Sequence, residues 1–174
     1  MIGARILRAA LTAAASIALA ACATTSLKTT APPNSYGAPA APASPAAPAA
    51  DPREVMVDNA MSMLGQPYRY GGASPGGFDC SGLVVYAAGG AGVRVPRTAL
   101  EQFDSGMPVV RGQLRMGDLI FMHLAHKELH VGIAIDKERF IHAPSTGGHV
   151  RIDSLDSPPY AKGFIVARRI VAAP

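Results

Sequence analysis

Phe78-Asp79-Cys80-Ser81-Gly82-Leu83-Val84-Val85-Tyr86-Ala87 reads as a turn that runs straight into a buried helix. Asp79 carries the short carboxylate that caps helix N-termini well. The apolar run after Gly82 continues to Gly89-Gly90, where the helix should stop. Cys80 therefore falls in the first turn. The unsatisfied N–H groups there, and the positive end of the helix dipole, favour a negative charge on sulfur. The same N–H groups can donate to an oxyanion. The placement suits a nucleophile for two independent reasons.

Upstream, residues 51–63 read as a first helix with Val55, Ala60, Met61 and Leu64 as its apolar stripe. Gly65-Gln66-Pro67 stops it, and Tyr68-Arg69-Tyr70-Gly71-Gly72 leads through a Gly/Pro-rich loop to Cys80. Downstream, Pro96-Arg97-Thr98 opens a short helix that runs to about Phe103. The periodicity then changes. Strands are expected at 119–122, 130–135, 139–143, 149–152 and 163–169. Short strands joined by tight turns predict an antiparallel sheet. Helices first and strands afterwards predict an α+β domain over 51–174.

The 174 residues hold that domain and two further segments. Residues 1–22 read as an export signal, with Arg5 and Arg8 ahead of an apolar stretch too short to span a membrane comfortably. The signal ends in Leu19-Ala20-Ala21-Cys22, which resembles a bacterial lipobox. On that reading Cys22 is acylated and becomes the N-terminus, held at a membrane by its lipid chains. Ala23 after it resembles the Gram-negative sorting pattern for the outer membrane, facing the periplasm. Residues 23–50 are almost wholly Ala, Pro, Ser and Thr and read as a tether. At about 3.1 Å per residue it could reach roughly 90 Å. The net charge of +4 does not mark a nucleic-acid partner. All 12 acidic residues and 13 of the 16 basic ones lie at or after Asp51, leaving that region near neutral.

The chain has 2 cysteines, so lipidation of Cys22 leaves Cys80 without a partner in the chain. A lone thiol in an oxidising compartment is a liability unless buried or used. His130 opens the second strand, and His142 lies on the third, across a turn near 136–139. With an even register or a small bulge the two imidazoles become diagonal neighbours on one face, close enough to touch. His130 can then take the Cys80 proton, while His142 engages the other ring nitrogen and fixes its tautomer.

Tyr-Arg-Tyr-Gly-Gly (68–72), Asp-Cys-Ser-Gly-Leu (79–83), Val-Pro-Arg-Thr (95–98), Gly-Asp-Leu-Ile-Phe (117–121), His-Val-Gly-Ile (130–133) and Phe-Ile-His-Ala (140–143) follow one another in this order. Jointly they resemble the NlpC-type bacterial cell-wall cysteine peptidases. The resemblance implies a papain-like core, with N-terminal helices packed on a five- to six-stranded antiparallel sheet. It implies Cys80 as nucleophile, His130 as general base, His142 as the third polar residue and Tyr68 as a support for the oxyanion. Asp79 and Ser81 would shape the turn. The implied substrate is a peptidoglycan stem peptide or cross-link containing D-amino acids or diaminopimelate, cut through an acyl-enzyme. No cofactor or metal is expected, and the protein is expected to act as a monomer. Specificity is expected in loops 71–77, 104–113 and 143–149, where Arg97, Arg111 or Arg115 would meet substrate carboxylates. Gly89-Gly90 and the Asp-Lys-Glu turn at 136–138 depart from the family pattern, and both lie away from the proposed triad.

Other readings compete. His123, His126, His130 and Cys80 offer zinc-ligand chemistry, and on one helix the first three would share a face. Leu-His-Val-Gly-Ile reads instead as strand entry. A non-catalytic envelope scaffold on an inactive peptidase fold is a further reading, against which the intact Cys/His/His set argues. Acyl transfer or amide hydrolysis on a non-wall substrate would use the same fold.

Overall fold

The computed structural model describes residues 50–125, 127–145 and 148–170, with backbone alone at 127 and 128. The leader with Cys22, and the tether up to residue 49, lie outside the described residues.

The first helix, α1, spans Pro52–Met61. Asp51 caps it by accepting from the Arg53 N–H, and Pro52 sits where a missing N–H costs nothing. It buries Ala60 as expected, with Met56 and Val57 in place of Val55, Met61 and Leu64. The helix ends before Leu64, which the turn at Gly65 leaves 43% exposed.

The quoted stretch forms the second helix, α2, over Cys80–Gly90, with Asp79 as its cap. Leu83, Val84, Ala87 and Ala88 are all buried, because α2 lies between α1 and the sheet. Its glycine end has a packing reason. Asn59 of α1 donates to the Ala87 carbonyl at 3.1 Å, and a Cβ on Gly90 would lie 2.3 Å from that amide nitrogen. A two-residue hairpin, β1 (Ala73–Ser74) with β2 (Gly77–Phe78), precedes α2. The short third helix, α3, spans Ala99–Phe103 and is closed by a Thr98/Glu101 capping box.

The sheet contains β3 (Met107–Val109), β4 (Leu119–Leu124), β5 (Lys127–Ala134), β6 (Arg139–His142), β7 (Arg151–Ser154) and β8 (Phe164–Arg169). Their order is β3-β8-β4-β5-β6-β7, and every pairing is antiparallel. Alternation divides the sheet between two cores. Leu119, Phe121, Val131, Ile133 and Ile141 face the helices; Ile120, Met122, Ala134 and Phe140 face Leu114, Leu155 and Tyr160. Tyr160 belongs to α4 (Tyr160–Gly163).

Two strand expectations need correction. The edge strand β3 escapes a pattern search because it is short, carries Pro108 and is exposed at Met107. The strand expected at 149–152 begins instead at Arg151. Residues 149 and 150 are taken by the loop after α1: His149 bridges Pro67, and Val150 exchanges backbone hydrogen bonds with Gln66 and Gly65.

Candidate active site

Cys80 begins α2 and is 6% exposed at the floor of a cavity of about 720 Å³. Tyr68, Tyr70, Arg97 and Leu129 also line it. The turn that carries the thiol is tied from several sides. Asp79 Oδ1 accepts from the Gly82 N–H at 2.6 Å and from Ser81 Oγ at 3.2 Å; Oδ2 accepts from the Gly71 N–H at 2.9 Å. Arg97 donates to both Asp79 oxygens, at 3.0 and 2.7 Å, and to Ser81 Oγ at 3.0 Å. Fully buried Gln102 donates to the Ser81 carbonyl at 3.1 Å, tying α3 to the start of α2. Burial alone would raise the Asp79 carboxyl. The Arg97 guanidinium and the Gly82 and Gly71 N–H groups outweigh it and hold the group below the usual aspartate range.

Glycine makes the close approach possible. A Cβ on Gly82 would lie 1.9 Å from the Gly72 carbonyl oxygen. That carbonyl accepts from the Asp79 N–H at 3.0 Å, so the 69–72 turn rests directly on the helix start.

The histidines come from the sheet. The β5–β6 register pairs Ile133 with Ile141; extended by one residue, it sets Gly132 opposite His142. His130 is then diagonal to His142, and His130 Nε2 lies 2.7 Å from His142 Nδ1. Both imidazoles are fully buried. The same diagonal step continues into β7, where Arg151 pairs with His142 and Asp153 stands two residues on. His142 Nε2 lies 2.9 Å from Asp153 Oδ2. That oxygen also accepts from Tyr160 Oη at 2.5 Å and Arg151 Nε at 2.8 Å. Burial raises the Asp153 carboxyl, but the hydrogen bonds from Tyr160, Arg151 and His142 outweigh it and leave the group below its ordinary value.

The structure thus brings His130 and His142 into one chain of contacts, and sets Cys80, Tyr68 and Arg97 around one cavity. Leu129, next to His130 in β5, lines that cavity, and α2 packs on β5. Arg97 lines the same cavity as the thiol, with its guanidinium engaged by Asp79. Arg111 pairs with Asp156 and reaches over the Phe164 ring, and Arg115 lines a separate depression with Lys137 and Arg169. The zinc grouping loses its premise of a shared helix face. His123 sits exposed on β4, His130 is buried on β5, and His126 lies outside the described residues. Among the described residues no group of three or more His, Cys, Asp or Glu is placed to hold a metal. Sequence reasoning missed Asp153 and Tyr160. The alternation of Arg151 and Asp153 was the available signal, but a strand ending at Ile152 cuts Asp153 off.

Helices first, an antiparallel sheet afterwards, and a cysteine opening the buried helix define a papain-like α+β domain. Residues 65–169 match the NlpC/P60 family, and the chain belongs to that family. It is 38% identical to the murein DD-endopeptidase MepH of Escherichia coli K12 over 124 residues, covering 68% of this chain and 46% of that protein. It is 40% identical to the probable endopeptidase YafL of the same strain, covering 68% of this chain and 50% of YafL. The chain therefore spans about half the length of these curated relatives. The crystal structure of an NlpC/P60 family protein from Bacillus cereus superposes with a TM-score of 0.65 at 31% identity, over 69% of this chain and 40% of that one.

Proposed function

We propose that the chain is a thiol-dependent endopeptidase that cleaves amide bonds in peptidoglycan stem peptides or cross-links. The observation that carries this reading is Cys80 at a capped helix start, in an open cavity, with a buried imidazole pair on the sheet that packs against that helix. The name of the murein DD-endopeptidase MepH supports the wall substrate, and that of the probable endopeptidase YafL supports the endopeptidase activity.

In this mechanism His130 accepts the Cys80 proton and sulfur attacks the amide carbonyl carbon. First-turn N–H groups of α2, which have no acceptor within the helix, and the Tyr68 hydroxyl stabilise the oxyanion. Collapse breaks the C–N bond, and the protonated His130 delivers the proton to the leaving amine. Water, deprotonated by His130, then hydrolyses the thioester and restores the thiol. His142 holds the base in place. Arg97 acts first on the Asp79 turn, and its exposed side, 40% of the side chain, faces substrate in the cavity.

Digestion of purified sacculi, read by mass spectrometry of the released muropeptides, tests this reading and names the bond. Cys80→Ala should abolish cleavage while the near-UV circular dichroism stays native. Undiminished cleavage by that variant overturns the reading.

We further propose export through the 1–22 leader, acylation at Cys22, and display from the 23–50 tether at the outer membrane facing the periplasm. Intact mass of the membrane-extracted protein checks this: N-terminal Cys22 should carry acyl chains, and Cys22→Ser should release the protein from the membrane fraction.

A further inference from the structure

Asp153, Tyr160 and Arg151 lie on β7 and α4, beyond the imidazole pair. Three donors converge on one carboxylate oxygen, Asp153 Oδ2: the third imidazole nitrogen in the line, a phenol and a guanidinium. The rings are packed as well as bonded. His142 meets Tyr160 edge-on at 5.5 Å between centroids, and Phe140 lies 4.7 Å from His142 and 5.0 Å from Tyr160.

We propose that Asp153 is a positioning residue that sets the tautomers of both imidazoles, so that His130 presents a lone pair, not a proton, on Nδ1. The logic follows the line of atoms. An ionised carboxylate can only accept, so the proton between it and His142 resides on His142 Nε2. In a neutral imidazole the other nitrogen, Nδ1, is then an acceptor. His130 Nε2, 2.7 Å away, must donate to it. The remaining nitrogen of His130, Nδ1, is left as the base. After His130 takes up a proton, its Nε2–H still points at His142, and the carboxylate beyond stabilises the cation without being protonated itself. Tyr160 and Arg151 keep Asp153 ionised and aimed. The Asp153 carboxyl is held below its ordinary range, which agrees with this, since its three donors outweigh its partial burial.

The proposal rests on Cys80 and His130 acting as nucleophile and base, and its test separates the two readings. Asp153→Asn, made together with Arg151→Met so that no guanidinium holds the amide oxygen at the Oδ2 position, keeps the shape but offers an NH₂ to His142 Nε2; Asp153→Asn below denotes this pair of changes. That reverses the chain: His142 Nδ1 then carries the proton, His130 Nε2 accepts it, and His130 Nδ1–H cannot serve as base. In wild-type protein, iodoacetamide should alkylate Cys80 rapidly at pH 7, and ¹H–¹⁵N spectra should show both histidines in the Nε2–H form. In Asp153→Asn the alkylation rate at pH 7 should fall about 100-fold or more, recover as pH approaches the free-thiol range, and accompany a switch to Nδ1–H. Hydrolysis should lose kcat with KM nearly unchanged. Wild-type tautomers and alkylation rate in a folded Asp153→Asn protein overturn the proposal while leaving the peptidase reading intact. Slow alkylation of the wild-type thiol instead overturns the peptidase reading, and this proposal with it. Should Asp153→Asn fail to fold, Tyr160→Phe carries the test. Losing one of the three donors should move the acid limb of the alkylation profile to higher pH, and an unmoved limb counts against the proposal.

Discussion

The two halves of the site are built by different means. The cysteine end is made of backbone and near neighbours: a cap one residue before the thiol, an N–H bond three residues on, and a turn from 69–72 pressed against the helix start. The histidine end is made of side chains on three adjacent strands, β5, β6 and β7, stepping diagonally from His130 through His142 to Asp153. The first half depends on local conformation and on one close approach. The second depends on register, which a single slip would invert. The thiol is therefore held by geometry that tolerates no added atom, whereas the proposed base depends on a proton arrangement that tolerates none moved.

Adding a methyl group tests the cysteine end most severely. Gly82→Ala would set a Cβ 1.9 Å from the Gly72 carbonyl oxygen and 3.0 Å from Asp79 Oδ1. The obstruction is backbone, so no rotamer relieves it. Destabilisation of about 3 kcal/mol or more is expected, at the upper end for overpacking. Denaturant titration measures it, and residual protein should also lose thiol reactivity because the turn moves. A variant as stable and as reactive as wild type would mean that the turn and helix start are not locked together.

The matching change at the histidine end is Gly132→Ala. Its Cβ would meet Phe140 Cδ2 at 2.6 Å, Ile141 O at 3.1 Å and His142 Cβ at 3.2 Å. A ring can yield where a carbonyl cannot, so the stability cost should be smaller, about 2 kcal/mol. The functional cost should be out of proportion to it. Displacing His142 by a fraction of its 2.7 Å contact disturbs the proposed base, and activity should fall about 100-fold. Comparing kcat with urea midpoints for the two glycine variants sharpens the contrast: the first should lose mainly stability, the second mainly turnover.

This contrast also explains what the sequence made legible. Asp79 as cap, Cys80 in the first turn and Thr98 opening α3 are local signals, and each is found in place. The diagonal relation of His130 to His142 could be anticipated because the turn between β5 and β6 is short. Asp153 could not, since its role depends on where β7 begins. That start is decided by residues 149 and 150 bonding to the loop after α1, a contact between segments some eighty residues apart. Arg97 could be read as a cation for substrate carboxylates but not as the partner of Asp79, because a carboxylate cap has no sequence mark that names its cation. Gly90 reads as a helix breaker, yet its place is fixed by the Asn59 amide.

The smallest effect concerns the two carboxylates, one in each half. Asp79 and Asp153 are both held below the ordinary aspartate value. A group lowered in the folded state contributes stability above its unfolded value, near 3.9, and loses that contribution as pH falls through the folded value. Both halves should therefore weaken on acidification below about pH 4. Asp79→Asn separates them. Asparagine keeps the Gly82 cap through its amide oxygen, but its NH₂ then faces the Gly71 N–H and Arg97, so the variant should lose the Gly71 bond and the ion pair, about 1 to 2 kcal/mol at pH 7. Its acid limb should be shallower than that of wild type, because one contributing carboxylate is gone. Thermal unfolding from pH 7 to pH 2 reads both quantities. The thiol of that variant should still be alkylated at a rate close to wild type, whereas Asp153→Asn should lose reactivity. Equal loss from both substitutions would mean that charge, and not the tautomer chain, governs the base, and the division between the two halves would fail.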